Sequence, residues 1–304
     1  MKLRHAALTV VAILVLVFGA VLPELSAQQD FDAVEITTIE VADGVYMLMG
    51  SGGNIGLSVG DDGAFVVDDQ FAPLTDKIRA AIAAVTDAEV EFVVNTHWHG
   101  DHTGGNEAFG SAGAMIVAHD NVRRQMNPQQ FGEVMGSSEQ APAAALPVVT
   151  FSDEVTFYWN DEKIHVEHVR HAHTDGDSII WFAGANVVHM GDNFFNGFYP
   201  YIDVDSGGSI DGMLTTARHV LAQIDSDTKI IPGHGALAGA EDLRRFRDVL
   251  IVARDRVGAM INDGMSLEEV IAALPMSDHD EAWGGGFMSP DRFLTVVYRG
   301  IAGE

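Results

Sequence analysis

The chain of 304 residues contains no cysteine. Disulfides therefore contribute nothing to its stability, and any metal site must be built from nitrogen and oxygen ligands. Basic residues are scarce too: 17 Lys and Arg stand against 44 Asp and Glu, a formal net charge of −27. So acidic a surface repels nucleic acid and anionic membranes, which leaves a small molecule as the expected partner. Internal repeats and Pro/Ser-rich linkers are missing, so the folded part reads as one domain. Apolar residues make up 47% of the chain, enough for a sizeable core.

Long hydrophobic runs are missing with one exception. "ALTVVAILVLVFGAVL" (residues 7–22) follows Lys2 and Arg4 and precedes "ELSA" before Gln28. That is the layout of a secretory signal peptide. The run is short of the ~20 residues that a membrane-spanning helix needs. The expectation is a cleaved segment over residues 1–27 and a mature domain over residues 28–304, periplasmic or secreted, with no stable membrane insertion after cleavage. Loss of Lys2, Arg4 and Glu24 with that segment takes the net charge from −27 to −28.

Strands and helices alternate along the rest. "GVYMLMG", "NIGLSVG" and "GAFVVDD" read as strands parted by glycine turns, and "AEVEFVVNTH" and "AMIVAH" as further strands. Residues 74–85 have helical spacing, and "DNVRRQM" reads as a short helix opened by Asp120. Residues 125–148 lack periodicity and read as a long loop of the kind that forms lids. "KIHVEHVRH" alternates like a strand, and "SIIWFAGANVVHMGD" reads as a hairpin. "SIDGMLTTARHVLAQI" is an amphipathic helix with Ser209 as its N-cap, and "TKIIPGHG" is strand then loop. The remainder is helical. A mixed α/β domain fits this alternation.

The chemistry concentrates in "NTHWHGDHTGG", residues 95–105. If the preceding strand continues through it, His97 and His99 point the same way, because side chains alternate with period two. Two imidazoles on one side can share a metal ion. Asp101 and His102 follow where the chain turns into a helix, and can serve a second ion beside the first. Imidazole and carboxylate ligands without sulfur suit zinc, and also iron or manganese.

These residues resemble the HxHxDH signature of the metallo-β-lactamase fold superfamily. Further segments resemble the family's in the same order. "HAHTDGD" is similar to its second ligand segment and implies His173. "VVHMGDNFF" resembles the strand ending in Gly-Asp, whose aspartate bridges two metals, and implies Asp192. "IPGHG" is similar to the last ligand segment and implies His234. "VVDD" looks like the early strand whose aspartate supports the site from behind, here Asp68. "GSGGNIGLSVG" sits where the family has a hairpin beside the mouth.

The resemblance implies an α/β fold: an αββα sandwich of two mixed β-sheets with helices on the outer faces and metals at one edge. It implies His97, His99 and His173 at one site and Asp101, His102 and His234 at the other, with Asp192 touching both. Two zinc ions would hold a bridging hydroxide, since a bound metal lowers the pKa of water from ~15.7 toward ~7. Asp101 would orient it and shuttle the proton, as the catalytic residue.

The other histidines read differently. His165, His168 and His171 lie on or beside one strand and read as packing or surface residues, with His171 close enough to His173 to support it. His189 reads as core, and His119 as the start of a helix. Trp98, Phe194, Phe195, Phe198, Tyr199 and Tyr201 read as core or pocket wall. The stretch after Asp192 is a candidate pocket wall.

Within the family, class B1 and B2 β-lactamases carry a cysteine where Asp192 stands, and B1 enzymes a lysine two residues later, where this chain has Phe194. The aspartate resembles the glyoxalase II and lactonase pattern. The expected function is an exported dinuclear zinc hydrolase that opens a cyclic amide or ester, a β-lactam or lactone. Alternatives are a hydrolase of another ester or thioester, an iron-dependent oxidoreductase of the same fold such as a persulfide dioxygenase, and a metal-binding module without turnover.

Overall fold

The computed structural model describes residues 30–126 and 142–303. The expected signal peptide and most of the expected long loop lie outside them. From Phe31 onward the chain forms one compact unit. Among the described residues, seven strands form one sheet in sequence order: β1 (Thr37–Ala42), β2 (Val45–Met49), β3 (Ile55–Gly60), β4 (Gly63–Val67), β5 (Val90–Val94), β6 (Met115–His119) and β7 (Val149–Phe151). Strands β1 to β4 pair antiparallel, and β4 to β7 parallel. The second sheet has the order β12 (Lys229–Ile231), β11 (Val187–His189), β10 (Ser178–Phe182), β9 (Glu162–His168), β8 (Glu154–Trp159). Only its β11–β12 pair is parallel. Both sheets are mixed.

The two-residue alternation of each strand builds three apolar layers. Phe65, Val67, Val94 and Val117 of the first sheet meet Ile164, Val166, Ile180 and Phe182 of the second in a core between the sheets. The opposite faces of the same strands, Ala64, Val66, Val93 and Ile116, pack on α1 (Thr75–Ala83) and on Phe109 of α3 (Asn106–Ser111). Outside the second sheet, Ile179, Val188 and Ile230 bury against α5 (Ile210–Gln223), α6 (Ala240–Asn262) and α9 (Pro290–Ala302). The result is the helix–sheet–sheet–helix sandwich that the resemblance implies. The expected strands, the hairpin β10–β11 and the long helices are present, with Ser209 capping α5 through a bond from Gly212 N. Strands β1, β7 and β8 are not among the expected ones, although Val155, Phe157 and Trp159 alternate along β8.

One local expectation is corrected. Strand β5 ends at Val94, so His97 and His99 stand on a loop beyond it rather than on the strand itself. The short helix α4 (Asp120–Gln125) opens at Asp120 as expected, and His119, read as the start of a helix, is its cap: its Nδ1 accepts from Asn121 N at 3.2 Å. Among the described residues no helix is long and apolar enough to cross a membrane.

Candidate metal centre

The ends of β4, β5, β10, β11 and β12 converge at one edge of the sandwich. The loop after β5 carries His97 and His99, and the single-turn helix α2 (Gly100–Thr103) carries Asp101 and His102. His173 precedes β10, Asp192 follows β11, and His234 follows β12. The structure brings all seven together. His97, His99, His173 and Asp192 form one cluster and Asp101, His102 and His234 a second; within each, the candidate ligand atoms lie within 4.8 Å of one another.

Asp192 belongs to both. Its Oδ2 lies 3.8 Å from His97 Nε2 and 3.5 Å from His173 Nε2. Its Oδ1 lies 3.0 Å from His102 Nε2 and 3.4 Å from His234 Nε2. Asp101 Oδ2 closes the second cluster, 3.7 Å from His102 Nε2 and 3.4 Å from His234 Nε2.

The outward ring nitrogens are occupied, which assigns the inward ones. Asp68 Oδ2 accepts from Thr96 Oγ1 at 2.7 Å, so that hydroxyl has spent its proton and accepts from His97 Nδ1 at 3.0 Å. His99 Nε2 donates to Asp203 Oδ2 at 2.9 Å, His102 Nδ1 to Asp68 Oδ2 at 2.7 Å, and His173 Nδ1 to the Tyr201 carbonyl at 2.9 Å. The inward nitrogens of His97, His99 and His173 are therefore lone pairs. They crowd to 3.1 Å between His97 and His99 and 2.9 Å between His99 and His173. Lone pairs so close repel one another unless a cation sits among them. His102 Nε2 and Asp192 Oδ1 are buried without a well-formed hydrogen bond. Nitrogen and carboxylate donors in this arrangement fit zinc, or iron or manganese.

Electrostatics agree with that fit. Burial, together with the neighbouring imidazole of His102, holds His97 well below the usual histidine range. Burial likewise takes His173 down to about 4. Both are neutral at pH 7, as ligation requires. At the second cluster burial opposes charge on His234, but the carboxylates of Asp192 and Asp101 outweigh it and carry it up to about 9. For Asp192 burial is again opposed, here by four surrounding imidazoles, which hold its carboxyl well below the usual range. The second cluster is a negative field that draws positive charge.

Two glycines are required by close approach. A Cβ on Gly53 would lie 2.0 Å from the His102 ring, and one on Gly233 would lie 2.1 Å from Asp192 Oδ1. Asn54 ties these two loops together. Its Nδ2 donates to Pro232 O and Gly235 O, both at 2.9 Å, and its backbone N–H donates to Gly233 O at 2.7 Å. The expected hairpin beside the mouth is thus β2–β3. Asp68, expected behind the site, is fully buried at φ 62°, a conformation rare for a non-glycine residue, and also accepts from Thr96 N at 2.7 Å.

Three partners escape sequence reasoning: Asp203, Thr96 and Asn54. Asp203 falls within the stretch singled out after Asp192, but its bond to His99 spans 104 residues, and nothing in a lone aspartate announces it. His171 does not support the site; it is exposed and bonds the Gly207 carbonyl at 3.0 Å. His165 bonds Thr156 and His189 is buried against Asn54 O, both outside the clusters. Among the aromatics, Phe194 and Tyr199 are core: the Phe194 ring lies tilted against Phe246 at 5.1 Å, and the Tyr199 ring stacks on Phe293 at 4.3 Å. Phe195 stacks on His234 at 5.1 Å, Trp98 packs 4.7 Å from His99, and Tyr201 lies 5.9 Å from His99.

Comparison with known proteins agrees with this geometry. A hydroxyacylglutathione hydrolase of a Polaromonas species is 28% identical over 165 residues, which is 53% of this chain and 55% of that protein. The chain thus spans about half the length of this curated relative. The inverting sec-alkylsulfatase Pisa1 of a Pseudomonas species superposes with a TM-score of 0.66 at 16% identity, over 87% of this chain and 50% of the sulfatase. The DIM-1 metallo-beta-lactamase superposes with a TM-score of 0.57 at 18% identity, over 72% of this chain and 99% of the lactamase. At such identities these two likenesses speak for the fold alone. The family model of the metallo-beta-lactamase superfamily matches residues 48–234, from β2 to the last histidine of the second cluster. The chain belongs to the metallo-beta-lactamase superfamily.

Proposed function

We propose that this protein is an exported hydrolase whose clusters hold two zinc ions and whose substrate is a cyclic amide or ester, a β-lactam or a lactone. The observation that carries the reading is the divided reach of Asp192. One oxygen faces His97 and His173, the other faces His102 and His234. A carboxylate shared in this way suits a pair of cations and not a single one.

When bound, such a pair supplies a water nucleophile at neutral pH and polarises the scissile carbonyl. Asp101 manages the proton. Its side chain is 23% exposed, the most open of the second cluster, and lies 3.4 Å from His234 Nε2. It takes the proton of the attacking water at a carboxylate oxygen and returns it to the leaving nitrogen or oxygen. Asp203 and Asp68 act behind it, each holding one imidazole, His99 or His102, in the tautomer that turns its free nitrogen inward. The Polaromonas relative, named a hydroxyacylglutathione hydrolase, supports hydrolysis and keeps another ester or thioester as the second reading.

Elemental analysis of the purified mature protein, joined to a nitrocefin and lactone panel, tests the proposal. Close to two zinc ions per chain and chelator-sensitive hydrolysis are expected. One tightly held iron and no zinc would overturn it in favour of the oxidoreductase. Export is tested by mass spectrometry of secreted or periplasmic material: a start near Gln28 is expected, and an intact Met1 on membrane-bound protein would refute it.

A further inference from the structure

The mouth of the site has unequal lips. Asp101, His234 and His99 are its open members, with 23%, 18% and 17% of their side chains exposed. On one side stands the turn over residues 50–54, whose Gly53 N–H donates to the Asp101 carbonyl at 3.0 Å and where a Cβ on Gly52 would lie 3.3 Å from the Phe71 ring. It is nearly all backbone. On the other side stands Phe287, delivered by the "GGGF" turn between α8 (Asp280–Trp283) and α9, outside the part of the chain that the family model matches. Its ring centroid lies 6.0 Å from that of His234 and 6.1 Å from that of Phe195.

Phe287 is 53% exposed. Its neighbours show that this is not a loose turn. Met288 is buried, and Gly286 packs so closely on Phe198 that a Cβ there would lie 2.8 Å from Phe198 Cβ. The Phe287 carbonyl accepts from Arg292 Nη1 at 3.3 Å. The backbone is pinned on both sides while the phenyl is held out in water beside a candidate ligand. Single exposed apolar side chains are common on protein surfaces, but this one is set apart by its pinned backbone and its place beside His234 and Phe195, where a bound molecule would cover it.

We infer that Phe287 is the specificity-determining residue of this mouth, and that it receives an apolar group, alkyl or aryl, carried next to the scissile carbonyl of the substrate. The inference rests on the reading of the clusters as a hydrolytic metal centre. It narrows the substrate class to acyl compounds with a hydrophobic substituent. Among the described residues, the turn over residues 50–54 offers no apolar side chain with which to grip such a group, so selection falls on Phe287. The discrimination expected of one apolar wall is on the order of tenfold.

Titration of the zinc-loaded protein with benzohydroxamate and with acetohydroxamate tests this without turnover. Both probes chelate metal, and they differ by a phenyl against a methyl. The wild type should prefer benzohydroxamate by about tenfold, Phe287→Ser should bring the ratio of dissociation constants toward one, and Phe287→Leu should keep most of the preference. Thermal melting of the variants checks that they fold, which the exposure of the side chain favours. An unchanged ratio in Phe287→Ser, or no preference in the wild type, overturns the inference and leaves the metal-centre reading standing. A protein that retains no zinc overturns that reading and this inference with it.

Discussion

At the residue scale, Asp101 and Asp192 show how position divides the work of two carboxylates. Asp192 is buried, and its oxygens are taken up by four imidazoles. Asp101 touches the second cluster only and opens to solvent. Only Asp101 is placed both to hold the centre and to exchange a proton with a reacting molecule. Asp101→Asn keeps the size of the side chain but removes its charge and its proton-accepting role. It should lower kcat by about 10²- to 10⁴-fold while KM moves far less. His165→Ala, at a half-buried position of β9 bonded to Thr156 and outside both clusters, should leave kcat within a few-fold. Steady-state kinetics on any substrate found in the panel read both. Near-full turnover in Asp101→Asn with both metals bound would reduce Asp101 to a ligand.

At the scale of elements, the site is assembled from loops that leave the strands at one edge of both sheets. Those loops would drift independently without cross-links, and Asn54 is the principal one. From the β2–β3 turn it satisfies two carbonyls of the loop that carries His234. His189, at the end of β11, donates to the Asn54 carbonyl at 3.0 Å and accepts from Gly191 N at 3.1 Å, which joins the Asp192 turn to the same knot. Asn54→Ala leaves those carbonyls without their donor and should destabilise the fold by about 2–4 kcal/mol. Urea unfolding of the zinc-free protein measures this, and zinc binding at the second cluster should weaken in parallel. A loss under about 0.5 kcal/mol, the range of ordinary surface substitutions, would show that the knot is redundant.

At the scale of the whole molecule, the two sheets meet near the site through a stacked pair of histidines. His119 ends β6 and His168 ends β9; their rings lie 3.7 Å apart at 8°. His119 donates to Ser152 O and accepts from Asn121 N, and His168 donates to Asp177 O. Burial lowers the pKa of both, despite those carbonyls, and the His119 ring adds to the effect on His168. Both are therefore neutral in the fold. The unfolded chain takes up protons near pH ~6.5, where the folded chain refuses them. Stability is thus full above that pH and falls as the pH drops below it, until the folded pair titrates in turn. Denaturant unfolding at pH 7.5 and 5.5 should show a smaller loss in His168→Gln than in the wild type. Equal losses would mean that other groups carry the acid sensitivity.

Much of this protein is legible in its amino-acid order, because the signals are local. HxHxDH is a six-residue pattern, the strand ends around it are short apolar runs bounded by glycine, and the long helices have caps and periodicity. The alternation of strands and helices and the HxHxDH residues are legible for that reason, whereas the sandwich itself and His173, Asp192 and His234 follow from the resemblance of their segments to those of the metallo-β-lactamase family. Strand β8 carries a readable alternation, since Val155, Phe157 and Trp159 all pack on the core between the sheets, whereas β7 spans only three residues and β1 has no buried residue, which leaves little to read in either. The rest is set by how the chain folds back on itself. Tertiary structure shows that His97 and His99 meet on a loop and not on a strand, since facing nitrogens are set by partners across the fold and not by strand period. It supplied Asp203 for His99, Asn54 for the loops and Phe287 for the mouth. Each of these acts on a residue far away in the chain, and a contact between distant segments leaves no mark in the spacing of either.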